Sequence, residues 1–188
     1  MAQIGYIPSL SAINDTPINE QNIGRDVDAI QNTVMEMRRI IDVSSKNPYV
    51  REWARTILQN VLVNHKWNEA SAIHDFVRDN VRYTRDPYGW EYIQTPPILL
   101  AGIADWMQKK TPRPIGDCDD MTTLSLSLMK AVGFPVIIKT VGYQPKTFSH
   151  VYGLVMVGNQ WYATDTVRPD RYLGWESTGI QNAMEVEV

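Results

Sequence analysis

The apolar pattern of this chain changes period once, at Gly133-Phe134-Pro135, and that change sets what it can fold into. Before it the pattern is helical. Val27, Ile30, Val34, Met37 and Ile41 recur at spacings of three and four, which is one face of a helix over 26–44. Pro48 suits the first turn of a second helix over 49–63. Asn68 can cap a third, with Ile73, Phe76, Val77 and Val81 as its buried stripe. Asp117 can cap a helix over 118–132, with Gly133 as its stop and Pro135 beyond it. After Pro135 the period is two. Segments 136–141, 150–157 and 160–167 read as strands, Gly158-Asn159 as a two-residue hairpin turn, and 184–188 as an edge strand. Helices first and an antiparallel sheet afterwards predict an α+β domain with the Cys118 helix packed on the sheet.

The remaining segments are less regular. Residues 1–22 carry Gly5, Pro8, Pro17 and several Asn and Ser, and read as an extended arm. Residues 84–117 hold Pro87, Pro96, Pro97, Pro112 and Pro114 with Gly89 and Gly102. They read mostly as loop, with one short helix around 98–107; loops this long in a compact domain are usually functional. At 188 residues the chain fits one domain, taken as 23–188. The 27–41 stripe spans only two heptads, too few for a coiled coil, so its helix is expected to pack on its own domain.

Composition removes several classes of function. A single cysteine excludes an internal disulfide framework and a Cys-rich zinc site. A formal net charge of −3 without a Lys/Arg run argues against nucleic acid as a partner. No run of about 18 apolar residues predicts a membrane span, and the N-terminus lacks the pattern of a signal peptide. A cytoplasmic folding environment is the simplest expectation, and later release in a virus particle is compatible with it. Asp117, Asp119 and Asp120 flank the cysteine. With Cys118 and His150 they could be read as metal ligands, but zinc would call for more His or Cys, so helix capping and dipole pairing are the preferred reading and no metal or cofactor is expected.

Cys118 itself is the candidate nucleophile. A lone Cys is more often a small buried hydrophobe. This one opens a helix just after a cap, where unsatisfied N–H groups and the helix dipole favour a thiolate. Its base is found by register. If Gly158-Asn159 is a two-residue turn, Val157 opposes Gln160, Tyr152 opposes Asp165, and His150 lies diagonal to Asp165 on one face of the hairpin. A one-residue slip would break this arrangement. His150 can then take the thiol proton, and Asp165 can orient and stabilise the imidazole. Trp161 shares the Asp165 face and is a candidate wall of a substrate cleft. His65 and His74 carry no signature and read as structural or surface residues. The flanking carboxylates oppose thiolate formation, so pairing with His150 must offset them.

Three segments then resemble a known family. Gly116-Asp117-Cys118-Asp119-Asp120, opening a helix that runs through Leu124 and Leu128 to Gly133-Phe134-Pro135, is similar to the nucleophile signature of transglutaminase-like proteins, a branch of the papain-type cysteine enzymes. Phe148-Ser149-His150-Val151-Tyr152 resembles the family's His strand, and Trp161-Tyr162-Ala163-Thr164-Asp165-Thr166 its Asp strand. Ile73, Phe76, Asn80, Val81 and Tyr83 resemble the entry that precedes the cysteine. The likeness covers about residues 70–168, in the order Cys, His, Asp, and the layout of N-terminal helices looks like the small phage or bacterial form. The resemblance implies a papain-like α+β core and acyl transfer on a protein or peptide amide through a thioester, with water or an amine as acceptor. It implies an aromatic oxyanion donor near Tyr83, for which an ordinary strand aromatic is the competing reading. The large animal relatives bind calcium; no EF-hand pattern is present and none is expected here. The rival class is a non-catalytic module of this fold serving structure or assembly. The sequence does not set the oligomeric state.

Overall fold

The computed structural model describes residues 7–8, 18–21, 27–86 and 91–188. Its N-terminal half is helical. Strand β1 (Ile18–Gln21) precedes helix α1 (Val27–Ser44), which buries Val34, Met37, Ile40 and Ile41 on one face. Helix α2 (Pro48–Leu58) is capped by Asn47, whose side chain accepts from the Tyr49 amide at 2.9 Å, with Pro48 in the first turn. It stops at Leu58, well short of 63. Leu62 and Val63, apolar positions that suggested a longer helix, are 68% and 83% exposed in the connection that follows. Helix α3 (Lys66–Asn80) starts two residues before Asn68, so Asn68 lies inside its first turn and does not cap it; His65 holds the cap position without a side-chain bond. Of the expected 1–22 arm, β1 is described and is extended; the rest, apart from residues 7–8, lies outside the described residues.

Residues 84–117 are more ordered than their prolines suggest. Strand β2 (Arg82–Tyr83) leads to β3 (Glu91–Gln94), then helix α4 (Pro96–Met107) and strand β4 (Ile115–Gly116). β3 pairs antiparallel with β1, and β2 pairs parallel with β4. Pro96 and Pro97 begin α4, in the first turn, where a missing N–H costs the helix nothing.

Helix α5 (Cys118–Ala131) is the central element, buried along nearly its whole length. It ends as its Gly predicts. Gly133 adopts φ 89°, its amide bonds to Lys130 O at 3.0 Å, and the Phe134 amide bonds to Met129 O at 3.1 Å, which is the Schellman stop. Strands β5 (Val136–Gly142), β6 (His150–Val157), β7 (Gln160–Thr164) and β8 (Asn182–Glu187) form an antiparallel sheet in the order β7-β6-β5-β8. The edge strand β8 begins two residues before the expected 184. Around the Gly158 turn, φ 64°, Val157 pairs with Gln160 and Gly153 with Thr164, the register read from the hairpin.

The sheet has two distinct faces. Val151 and Val155 join the main core with α5 and the other helices. Tyr152, Leu154, Ile137, Val141 and Ala163 form a smaller apolar cluster on the opposite face. Gly153 faces α5, and a Cβ there would lie 2.3 Å from Leu126 Cδ2, so the helix approaches the sheet at a distance only glycine allows. Among the described residues no helix is long and apolar enough to cross a membrane.

Candidate active site

Cys118 is the first residue of α5 and is half-buried. The cap before it is reciprocal. The Asp117 side chain accepts from the Asp119 amide at 3.2 Å and the Asp120 amide at 3.5 Å, while Asp120 Oδ2 accepts from the Asp117 amide at 3.3 Å. A second anchor had no signature in the sequence. The Gln94 backbone amide donates to Asp120 Oδ1 at 2.6 Å, and the Gln94 side-chain amide donates to Asp120 Oδ2 at 2.7 Å. Strand β3 is thereby fastened to the helix start that carries the sulfur.

The helix and the sheet bring two ends together. Leu126 lies over Gly153, and one turn earlier the Thr122 hydroxyl donates to Val151 O at 3.2 Å. Four helix residues rise about 6 Å and two strand residues span about 6.6 Å, so the two elements advance in step. A further turn back along α5 is Cys118, and the same step along β6 passes the first residue of the strand, His150, and arrives at Ser149 just before it. The N-terminal end of α5 and the His150 end of β6 are therefore the same end of the layer.

At that end His150 Nε2 is 2.8 Å from Asp165 Oδ2, with the Asp165 side chain only 3% exposed and that of His150 16%. A carboxylate accepts, so Nε2–H is the donor, and Nδ1 is the ring nitrogen left for exchange with a thiol. The other carboxylate oxygen is occupied as well: Oδ1 accepts from the Val167 amide at 3.3 Å, a local turn that sets the Asp165 side chain just where β7 ends. The contact that register predicted between His150 and Asp165 is thus made across the hairpin. The Tyr152 ring lies 5.6 Å from the imidazole on the same face, and its hydroxyl donates to Glu176, which also pairs with Lys139 at 2.8 Å. Burial, and then this contact with Glu176, push the Tyr152 phenol up.

Tyr83 pairs with Gly116, two residues before the cysteine, and is 37% exposed. Burial pushes its phenol up, and Cys118 and Asp117 are near enough to add to that shift. The structure therefore brings the oxyanion candidate to the nucleophile's end. Trp161 is placed differently. It shares the Asp165 face but lies four residues back, about 13 Å along the strand, beside the smaller apolar cluster.

The acidic residues do more than cap. Asp117, Asp119 and Asp120 are buried and bring one oxygen each within 4.8 Å of one another. Burial first, and then Asp117, raise Asp119 well above the usual carboxylate range. Burial, and then the charge of Asp117, push Asp120 up to about 7. Protons held here reduce the negative charge beside Cys118 that the sequence alone set against a thiolate.

His65 holds a helix cap position, as a structural or surface residue would. His74 is fully buried on α3, with Nδ1 3.0 Å from Thr164 Oγ1. Thr164 also meets Ser125 Oγ at 3.3 Å. Neither Gln94 nor Thr164 carried a signal. Gly153 did, since a glycine inside a strand marks a close approach.

The transglutaminase-like superfamily family model matches residues 51–166, and the chain belongs to that superfamily. The crystal structure of a "putative cysteine protease" from Cytophaga hutchinsonii is similar in fold at 15% identity and TM-score 0.43, over 86% of this chain and 54% of that one. No curated protein matches the chain.

Proposed function

We propose that this protein is a cysteine-dependent acyl-transfer enzyme acting on an amide of a protein or peptide. The observation that carries the reading is the 2.8 Å contact of His150 Nε2 with a buried Asp165 carboxylate, at the end of the sheet where the α5 N-terminus presents Cys118. In the reaction His150 Nδ1 takes the thiol proton and the sulfur attacks the carbonyl carbon. The C–S bond forms as the carbonyl oxygen takes up negative charge. The backbone N–H of Cys118 at the helix start and the Tyr83 hydroxyl serve as the donors that stabilise it. Collapse breaks the C–N bond, and His150 returns the proton to the leaving amine. Water or a second amine, deprotonated by His150, then displaces the thiolate from the thioester. Asp165 holds the ring in the Nε2–H tautomer throughout.

The test is alkylation of Cys118 by iodoacetamide as a function of pH, with a glutamine peptide and a fluorescent amine assayed alongside. Rapid alkylation well below the ordinary thiol pKa of about 8.5 is the expected result. Amine incorporation that Cys118→Ser abolishes assigns a transferase, and release of ammonia or peptide without incorporation assigns a hydrolase. Ordinary slow alkylation, unchanged by Asp165→Asn, overturns the enzyme reading and leaves a structural or assembly module of this fold.

A further inference from the structure

His74 has no part in the chemistry above, yet its surroundings are unusual for a core position. The ring is completely buried between α3 and the sheet, and Nδ1 is held by Thr164. The Arg171 carbonyl, which accepts from Arg78 Nη1 at 2.8 Å, has a second lone pair and also acts on the ring as a hydrogen-bond acceptor. A large apolar side chain would fill this space with no polar atom to satisfy, so a buried imidazole here calls for an explanation.

The explanation lies one residue along the chain. Thr164 is the last residue of β7 and is completely buried; Asp165 follows it where the strand ends. Beyond Thr164 the sheet no longer fixes the backbone. The Thr164 hydroxyl is gripped from two sides, by His74 Nδ1 on α3 and by Ser125 Oγ on α5. Burial holds His74 neutral, with Asp165 itself within electrostatic reach. In the Nε2–H tautomer, Nδ1 accepts from Thr164, and Thr164 accepts from Ser125. Each group then has one direction of bonding, and α3, α5 and the end of β7 are locked to one another.

We propose that His74 is a positioning residue: through Thr164 it fixes the backbone that carries Asp165, and so sets the Asp165 carboxylate against His150. The importance of this arrangement for turnover rests on the enzyme reading, but the arrangement itself is tested without it. The chain has three histidines, so the ring N–H of His150 is assigned in a proton–nitrogen NMR spectrum by single substitution. Hydrogen-bonded to a buried carboxylate, that proton is shifted downfield and slow to exchange with water. In His74→Phe its exchange is expected to accelerate at least tenfold or its signal to disappear, while His74→Asn, whose side-chain oxygen can replace Nδ1, restores it. Thr164→Val keeps the volume and removes the hydroxyl; it is expected to behave like His74→Phe, and it decides the question should His74→Phe not fold. An unchanged His150 signal in the folded Phe or Val variant overturns the proposal, as does its absence from the wild-type protein. Failure of the enzyme reading looks different: a protected His150 proton in the wild type, sensitive to His74, together with ordinary alkylation of Cys118.

Discussion

Leu126 and Gly153 meet where α5 crosses β6, and a methyl group at position 153 would lie 2.3 Å from Leu126 Cδ2 and 2.8 Å from Thr164 Cγ2. That contact sets the spacing between helix and sheet, and with it how the end of α5 carrying Cys118 meets the end of β6 carrying His150. Gly153→Ala must push the layers apart or force Leu126 off its rotamer. Overpacking of this kind costs about 1–3 kcal/mol, visible as a lower urea midpoint. Adding Leu126→Ala should recover part of the loss, a coupling that a double-mutant cycle measures. Additive losses would show that the two residues do not constrain each other.

Asp165→Asn separates orientation from charge. The amide keeps the oxygen that accepts from the Val167 amide, so the melting temperature should change little. Its other end can no longer stabilise an imidazolium. Turnover should fall by a hundredfold or more, by the logic of orienting acids in His-assisted nucleophiles. Equal losses of stability and rate would assign Asp165 to structure alone.

Asp120 should make the fold less stable as pH rises. Its folded-state pKa, about 7, lies above the ordinary carboxylate value of 3.8, so the native state holds the proton more tightly. The resulting stabilisation is complete below about pH 4 and is lost as pH climbs through 7. Urea midpoints of the wild type, measured against Asp120→Asn from pH 4 to pH 8, should show the wild type declining relative to the variant. A flat difference would refute the raised pKa.

His74 carries the opposite sign. Burial lowers its pKa, so its neutral form contributes stability that is complete above the unfolded value of about 6.5 and is lost as pH falls through the lower folded value. The stability of the wild type relative to His74→Phe should therefore shrink as pH is lowered from 7.5 to 5, read from denaturation midpoints at each pH. A relative stability that grows on acidification would show that the buried ring is charged.

The parts of the site that could be read in advance were those governed by local rules. Asp117 caps because a short acidic side chain reaches the free amides of a first turn. His150 meets Asp165 because a two-residue turn leaves a hairpin no freedom of register. Where local signals were ambiguous, tertiary contacts decided. Pro96 and Pro97 suggested loop and begin α4 instead. Leu62 and Val63 suggested helix and lie exposed. Trp161 has the strand phase of Asp165, and the structure adds only that it packs beside the smaller apolar cluster.

By itself the amino-acid sequence determined the α+β order, the ends of α5, the hairpin register and the meeting of His150 with Asp165. Each follows from covalent neighbours, from turn geometry or from a period of two or 3.6 residues. Only the tertiary structure decided that Gln94 fastens β3 to Asp120, that Asp119 and Asp120 share a buried corner that raises their pKa, and that His74 reaches Thr164 across 90 positions of chain. Those contacts depend on burial and on which surfaces the packed layers press together, and neither is written in any local pattern.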